Sequence, residues 1–143
     1  LRFHVKPTPE LLAYFGENQG KIQAFATLLK TTGIEHGLIG PKEGDRIWQR
    51  HIANCIPITT IIPAGVRLAD IGSGAGLPGV VIALARPDLR VTLIEPLQRR
   101  VEFLNAAQEL AATKLKKGAS AKLHEISLPN LPVARVVEVL KGA

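Results

Sequence analysis

VRLADIGSGAGLPGVVIALARP, residues 66–87, is the stretch that decides how this chain folds. Its first part, VRLADIG at 66–72, is apolar on both sides of a period-two repeat. That pattern is expected of a buried, central strand of a parallel sheet. Glycines then crowd the segment up to Gly79, where regular structure gives way to a tight turn. The rest, PGVVIALARP at 78–87, reads as a helix, with Pro78 suited to its first turn. Strand, glycine loop and helix in this order form a recognised ligand cradle. Gly74, Gly76 and Gly79 also match the spacing G-x-G-x-x-G.

Downstream, RVTLIE at 90–95 is a second strand and PLQRRVEFLNAAQELAA at 96–112 a second helix. Leu97, Val101, Leu104 and Ala111 form the apolar stripe of that helix. The order β-loop-α-β-α predicts an α/β fold with a parallel, doubly wound core. At the end of the chain, AKLHEISLP (121–129) and ARVVEVLKG (134–142) read as two strands. Their short connection implies an antiparallel hairpin.

Upstream, residues 9–31 carry apolar residues at helical spacing. Gly16 and Gly20 are expected to divide them into two helices, and Gly33 to end the second. GLIGPKEG at 37–44 reads as a loop. DRIWQRHIANCI at 45–56 reads as a further helix, with Asp45 as its N-cap and Ile47, Trp48, Ile52 and Cys55 on one face. PAG at 63–65 marks a boundary. The chain is therefore divided into a helical region, 1–63, and a core, 64–143.

Of the 143 residues, 46% are apolar and 21% charged, an ordinary globular balance. No apolar run is long enough to span a membrane, and the start has no signal-peptide pattern. Cys55 is the only cysteine, so no internal disulfide can form, which fits a reducing cytoplasm. The net charge of +6 and pI near 9.8 favour a polyanionic partner such as RNA. Aromatic residues are only 4%, too few for a base-stacking platform.

The chemistry of the cradle turns on Asp70. A glycine loop at a helix start accepts negative groups of a ligand. Yet Asp70 ends the first strand directly before the glycines, and a carboxylate repels a pyrophosphate in a poorly solvated cleft. S-adenosylmethionine has no phosphate and carries an ammonium and a sulfonium, so Asp70 favours it over NAD. Glu95 ends the second strand, where a carboxylate can accept hydrogen bonds from both ribose hydroxyls. That supports an adenosine ligand without choosing between the two.

The stretch LADIGSGAGLPGVVIALARPDLRVTLIEPLQRRVEFL, with GAGLPG as its most specific element, resembles the RsmG/GidB family of bacterial 16S rRNA guanine-N7 methyltransferases. DRIWQRHIANC resembles the helix preceding that family's core, KLKKGASA a later strand, and the final hairpin its last two strands. The resemblance implies a Rossmann-like class I methyltransferase with an N-terminal helical extension. It also implies methyl transfer from S-adenosylmethionine to N7 of a guanine in 16S rRNA, free or in a small ribosomal subunit precursor. Carried over residue by residue, the cofactor loop comprises Asp70, Gly72, Ser73, Gly74, Gly76 and Leu77, with Glu95 as the ribose acid. Arg50, His51, Arg100 and Lys117 become candidate RNA contacts. The resemblance implies no metal and identifies no catalytic residue. The family often has an Asp two or three positions after the histidine. Ala53 and Asn54 stand there, so no carboxylate partner for His51 is expected nearby. A cytoplasmic monomer is expected.

Such a sheet has about seven strands, and one βα unit takes about 30 residues. The middle strands therefore cannot fit between the second helix and the hairpin. The chain starts at Leu1 and contains no Met. Segments are accordingly expected to be absent, with the main break between about 111 and 118. The exposed edge of 66–71 would then be prone to aggregation. Two other functions remain compatible with the sequence: an NAD-dependent oxidoreductase that tolerates Asp70, and a non-catalytic basic RNA-binding protein.

Overall fold

A computed structural model describes the backbone of residues 6–113, 119–126 and 134–141, and the side chains of residues 6–107. The expected break near 111–118 falls largely outside the described residues.

The helical region opens with α1 (Pro9–Ala13), capped by the Thr8 hydroxyl, which accepts the Leu11 N–H. Gly16 (φ +49°) separates it from α2 (Gln19–Leu28). Gly20, expected to break the helix, lies inside α2. Gly33 does not stop the chain either. A π-helical turn, Leu29–Gly33, carries the coil on to Glu35. The reversal falls at Gly37 (φ +69°), whose N–H donates to the Ile34 carbonyl.

The expected helix over 45–56 is longer and less regular. A 3₁₀ segment, Pro41–Arg46, leads into a π-helical segment, Ile47–Ile52. A 3₁₀ turn, Ala53–Cys55, and α3 (Ile56–Thr59) follow. Asp45 is therefore not an N-cap. The segment starts after Gly40, with Pro41 fixing the first turn. The apolar residues of the expected face, Ile47, Trp48, Ile52 and Cys55, are all buried.

After this come β1 (Arg67–Ile71), α4 (Gly79–Ala85), β2 (Arg90–Glu95) and α5 (Gln98–Thr113). The backbone then forms β3 (Ala119–Ile126) and β4 (Ala134–Lys141). β1 and β2 pair in parallel, Arg67 opposite Arg90 through Ile71 opposite Ile94. β4 pairs antiparallel to β2 on its other side, and β3 antiparallel to β4, giving the order β1-β2-β4-β3. The connection over 127–133 lies outside the described residues.

One apolar cluster joins the two regions. Phe15, Ile22, Phe25 and Leu29 from the helices meet Val81 and Ile82 of α4, Leu93 of β2, and Phe103 and Leu104 of α5. A β-carbon added at Gly33 would lie 3.7 Å from the Phe103 ring, so the ring packs against bare backbone there. Leu97, expected in the apolar stripe of α5, is instead exposed, because it precedes the helix.

β1 also departs from its expected character. It is an edge strand among the described residues, and its residues alternate between exposed and half-buried. Leu68 and Asp70 face the α4 side. Ile71 is 81% exposed. Its apolar sequence fits a strand covered on both faces, but among the described residues no strand pairs with its outer edge. Ile71→Lys is expected to reduce aggregation measurably in light scattering, because an edge lysine opposes strand addition. Its unfolding free energy should stay within about 0.5 kcal/mol of the parent.

A second tie links the regions through Arg86. Its guanidinium donates to the carbonyls of Thr59 (2.7 Å) and Ile62 (2.9 Å) and to both oxygens of Asp88 (2.8 Å each). The Gly65 N–H also donates to Asp88 (3.0 Å). The hydrogen bonds from Arg86, then that from Gly65, hold the Asp88 carboxyl well below the usual carboxylate range. A carboxyl lowered in the folded state stabilises fully above its unfolded pKa of about 3.9. That contribution is lost as pH falls further. Urea midpoints of Asp88→Asn should thus lie below the parent's near neutral pH and converge with them as pH drops below about 4.

Candidate functional site

Parallel pairing sets the ends of β1 and β2 side by side. Where β1 stops, the N–H groups of Gly72 and Ser73 both donate to the Ile94 carbonyl, at 2.8 and 3.0 Å. The loop thus starts hooked onto the neighbouring strand. The buried Ser73 hydroxyl donates back to the Asp70 carbonyl (2.9 Å). The Gly76 N–H donates to the Ser73 carbonyl, and the Val80 N–H to that of Gly76, each at 2.8 Å. These bonds lead the turn directly into α4.

Gly76 shows why the motif needs glycine. Its φ is +84°, and a β-carbon there would lie 2.7 Å from Val80 Cγ2, 3.2 Å from Leu104 and 3.3 Å from Phe25. The third glycine of the motif, Gly79, would clash with Leu93 and with the Asp70 carboxylate. Close packing of loop, helices and strand dictates both positions, in keeping with the packing role of the last glycine in such loops. Gly72 differs, since a β-carbon there meets nothing within 4 Å. The backbone around Gly72 is therefore the accessible side of the loop. Leu77 is partly buried and packs against the core.

The two strand-end carboxylates organise the loop. Asp70 Oδ2 accepts the Gly79 N–H (3.0 Å), which ties the end of β1 to the start of α4. Glu95 is 1% exposed. Its Oε2 accepts the Gly74 N–H (2.8 Å) and its Oε1 the Leu97 N–H (3.1 Å). Arg100 Nη1 lies 3.7 Å from the same Oε1. Arg100, expected to be free for RNA, is thus partly engaged as the counter-ion of a buried acid. The exposed Arg50 and the half-buried His51 sit on the π-helical segment. Lys117 lies outside the described residues.

His51 does have a carboxylate partner, contrary to expectation. Its Nε2 is 2.8 Å from Glu43 Oε2. Eight residues of α-helix would separate the pair by about 12 Å. Here the backbone leaves helical geometry at Arg46 (φ −109°, ψ 5°), between the 3₁₀ and π segments. That bend brings Glu43 back to the ring. Sequence reasoning searched only after the histidine; the signal was an acid in the loop before it.

The same helical run continues to Cys55. The buried thiol donates to the His51 carbonyl (3.1 Å). Burial, helped by the nearby Asp70 carboxylate, pushes its pKa up to about 11, so the thiol stays protonated and unreactive at neutral pH. Asp70, the loop, Glu95 and Arg100 therefore form one cluster.

Among the described residues no helix is long and apolar enough to cross a membrane. Comparison with known proteins bears on the whole arrangement. Residues 18–126 match the family model described as rRNA small subunit methyltransferase G. A Mycobacterium sp. (strain JLS) protein named "Ribosomal RNA small subunit methyltransferase G" is 57% identical over 101 residues, covering 71% of this chain and 45% of its own length. A protein of the same name from Thermobifida fusca (strain YX) is 44% identical over 140 residues, covering 96% of this chain and 59% of its own length. One from Salinispora arenicola (strain CNS-205) is 49% identical over 121 residues, covering 82% and 48% respectively. The chain thus spans about half the length of the curated relatives it matches. With its glycine loop, both strand-end carboxylates and the preceding helical segment inside the matched region, the chain belongs to the rRNA small subunit methyltransferase G family.

Proposed function

We propose that this chain carries the cofactor-binding half of a class I, S-adenosylmethionine-dependent rRNA methyltransferase. In this reading residues 64–143 form its Rossmann-like core and residues 1–63 a helical extension. The β3–β4 pair corresponds to the closing hairpin. The reaction is methyl transfer to N7 of a guanine in 16S rRNA, free or in a small-subunit precursor, by a cytoplasmic monomer. The observation that carries the proposal is the pair of carboxylates, Asp70 and Glu95, flanking a glycine loop whose open backbone lies around Gly72.

The residues suit such a cofactor. Asp70 beside the loop favours a cationic ligand and opposes a pyrophosphate, while Glu95 suits an adenosine ribose. Asp70 keeps one oxygen on Gly79 and supplies negative charge at the loop mouth. Glu95 has two oxygens with two lone pairs each, so hydrogen bonds from Gly74 and Leu97 leave acceptor capacity for ribose hydroxyls. When bound, S-adenosylmethionine supplies a methyl group on a positively charged sulfur. The remaining work is positional. Guanine N7 presents a lone pair and needs no deprotonation, so no side chain has to act as a base. Gly72, Ser73, Gly74, Gly76 and Leu77 form the loop that holds the cofactor, so that its methyl group and the base can be aligned. Arg50, His51, Arg100 and Lys117 are proposed to hold the RNA, with a grip that weakens as salt rises.

Calorimetry tests the reading. The chain should bind S-adenosylmethionine and not NAD. Asp70→Asn keeps an acceptor for the Gly79 N–H but removes the charge. It should weaken S-adenosylmethionine about tenfold, some 1.4 kcal/mol, with little change in unfolding midpoint. Absence of heat with S-adenosylmethionine, or NAD binding that improves in Asp70→Asn, would sink the proposal in favour of a dinucleotide enzyme. Cofactor binding with no methyl transfer to small-subunit RNA would assign this chain a binding role alone.

A further inference from the structure

The Glu43–His51 pair is not accounted for by the cofactor loop. An ionised carboxylate only accepts hydrogen bonds, so the 2.8 Å contact requires the proton on His51 Nε2. In the neutral ring, Nδ1 is then a bare acceptor, and it has no hydrogen-bond partner among the described residues. The ring is only partly covered, with 25% of its side chain exposed. Glu43 also faces Arg46, at 4.0 Å from its other oxygen, and Arg50. The hydrogen bond from His51, with the charges of Arg46 and Arg50, holds the Glu43 carboxyl below its ordinary range, so it stays ionised at neutral pH. Both arginines are exposed. The Cys55 thiol donates to the His51 carbonyl, and Asp70 lies near enough to help raise the thiol's pKa. One carboxylate thus orients an imidazole on a stretch that also carries two exposed guanidinium groups.

We propose that Glu43 is a positioning residue that holds His51 as the Nε2–H tautomer, so that Nδ1 accepts a hydrogen-bond donor of an RNA strand whose phosphates Arg46 and Arg50 neutralise. This deepens, and rests on, the RNA-modifying reading above. Two donor sources share the required chemistry: the ribose 2′-hydroxyl and the exocyclic amine of guanine.

The sign of one measurement separates positioning from mere counter-charge. Fluorescence anisotropy would follow binding of the full chain to a short guanine-containing single-stranded RNA. If Glu43 only offsets the arginines, Glu43→Ala should tighten RNA binding. If it positions His51, Glu43→Ala should weaken binding about fivefold, the scale of one lost hydrogen bond. Glu43→Gln, which can still accept from Nε2–H, should recover most of that loss. His51→Ala should lose as much as Glu43→Ala, and the double variant no more than either. Nitrogen NMR of the ring gives a reading independent of RNA: an Nε2–H tautomer in the parent and a mixture in Glu43→Ala. A matched DNA strand and a strand with inosine for guanine identify the donor. The His51→Ala loss should vanish on the first if the 2′-hydroxyl is bound, or on the second if the guanine amine is. Binding unchanged or tightened in Glu43→Ala, a His51→Ala loss persisting on both strands, or no RNA binding by the parent would overturn the proposal. Failure to bind S-adenosylmethionine would instead remove the methyltransferase reading, leaving the tautomer and RNA results to judge Glu43 by themselves.

Discussion

Burial of the Glu95 carboxylate is the constraint around which the rest is arranged. An acid with almost no exposure costs several kcal/mol unless its oxygens are satisfied. Here the satisfying groups come from three directions: Gly74 in the loop, Leu97 at the entrance to α5, and Arg100 one turn into that helix. Meeting the needs of one carboxylate therefore fixes the loop, the end of β2 and the start of α5 relative to each other. Asp70 repeats the device at the end of β1, where the Gly79 N–H ties the strand to α4. The two acids hold the loop in shape.

The helical region is structurally part of the same unit. Phe25 packs against the backbone of Gly76, and Phe103 against that of Gly33, so each region fills space that the other leaves by omitting a side chain. Polar ties reinforce the contact. Asn18 donates to the Leu84 carbonyl (2.8 Å) at the end of α4, and Arg86 gathers the carbonyls of Thr59 and Ile62. These bonds satisfy backbone acceptors that would otherwise lie unpaired where chain segments end.

Much of the site was legible from the residues. Asp70, the glycines and Glu95 stand at strand ends and turns that period and composition place with little ambiguity, and the structure gathers them at one edge of the sheet. Arg100 was read as a basic position on the next helix, but its pairing with Glu95 depends on where that helix begins. Glu43 was not found, because its approach to His51 follows from a 3₁₀-to-π change of pitch that no apolar repeat encodes. Gly20 and Gly33 were overweighted as breakers. Buried helix packing outweighs the propensity cost of about 1 kcal/mol per glycine.

By itself the sequence determined the order of elements, the parallel pairing of β1 with β2, the glycine cradle and the acids at its rim. These follow from local periodicity and from residue types whose backbone preferences are strong. Only the tertiary structure decided that Ile71 stands in the open, that both acids are turned into the loop they flank, and that His51 has a carboxylate partner. Each of these depends on which neighbour occupies the space beside a residue. Neighbours distant in the chain leave no periodic trace at the position they cover.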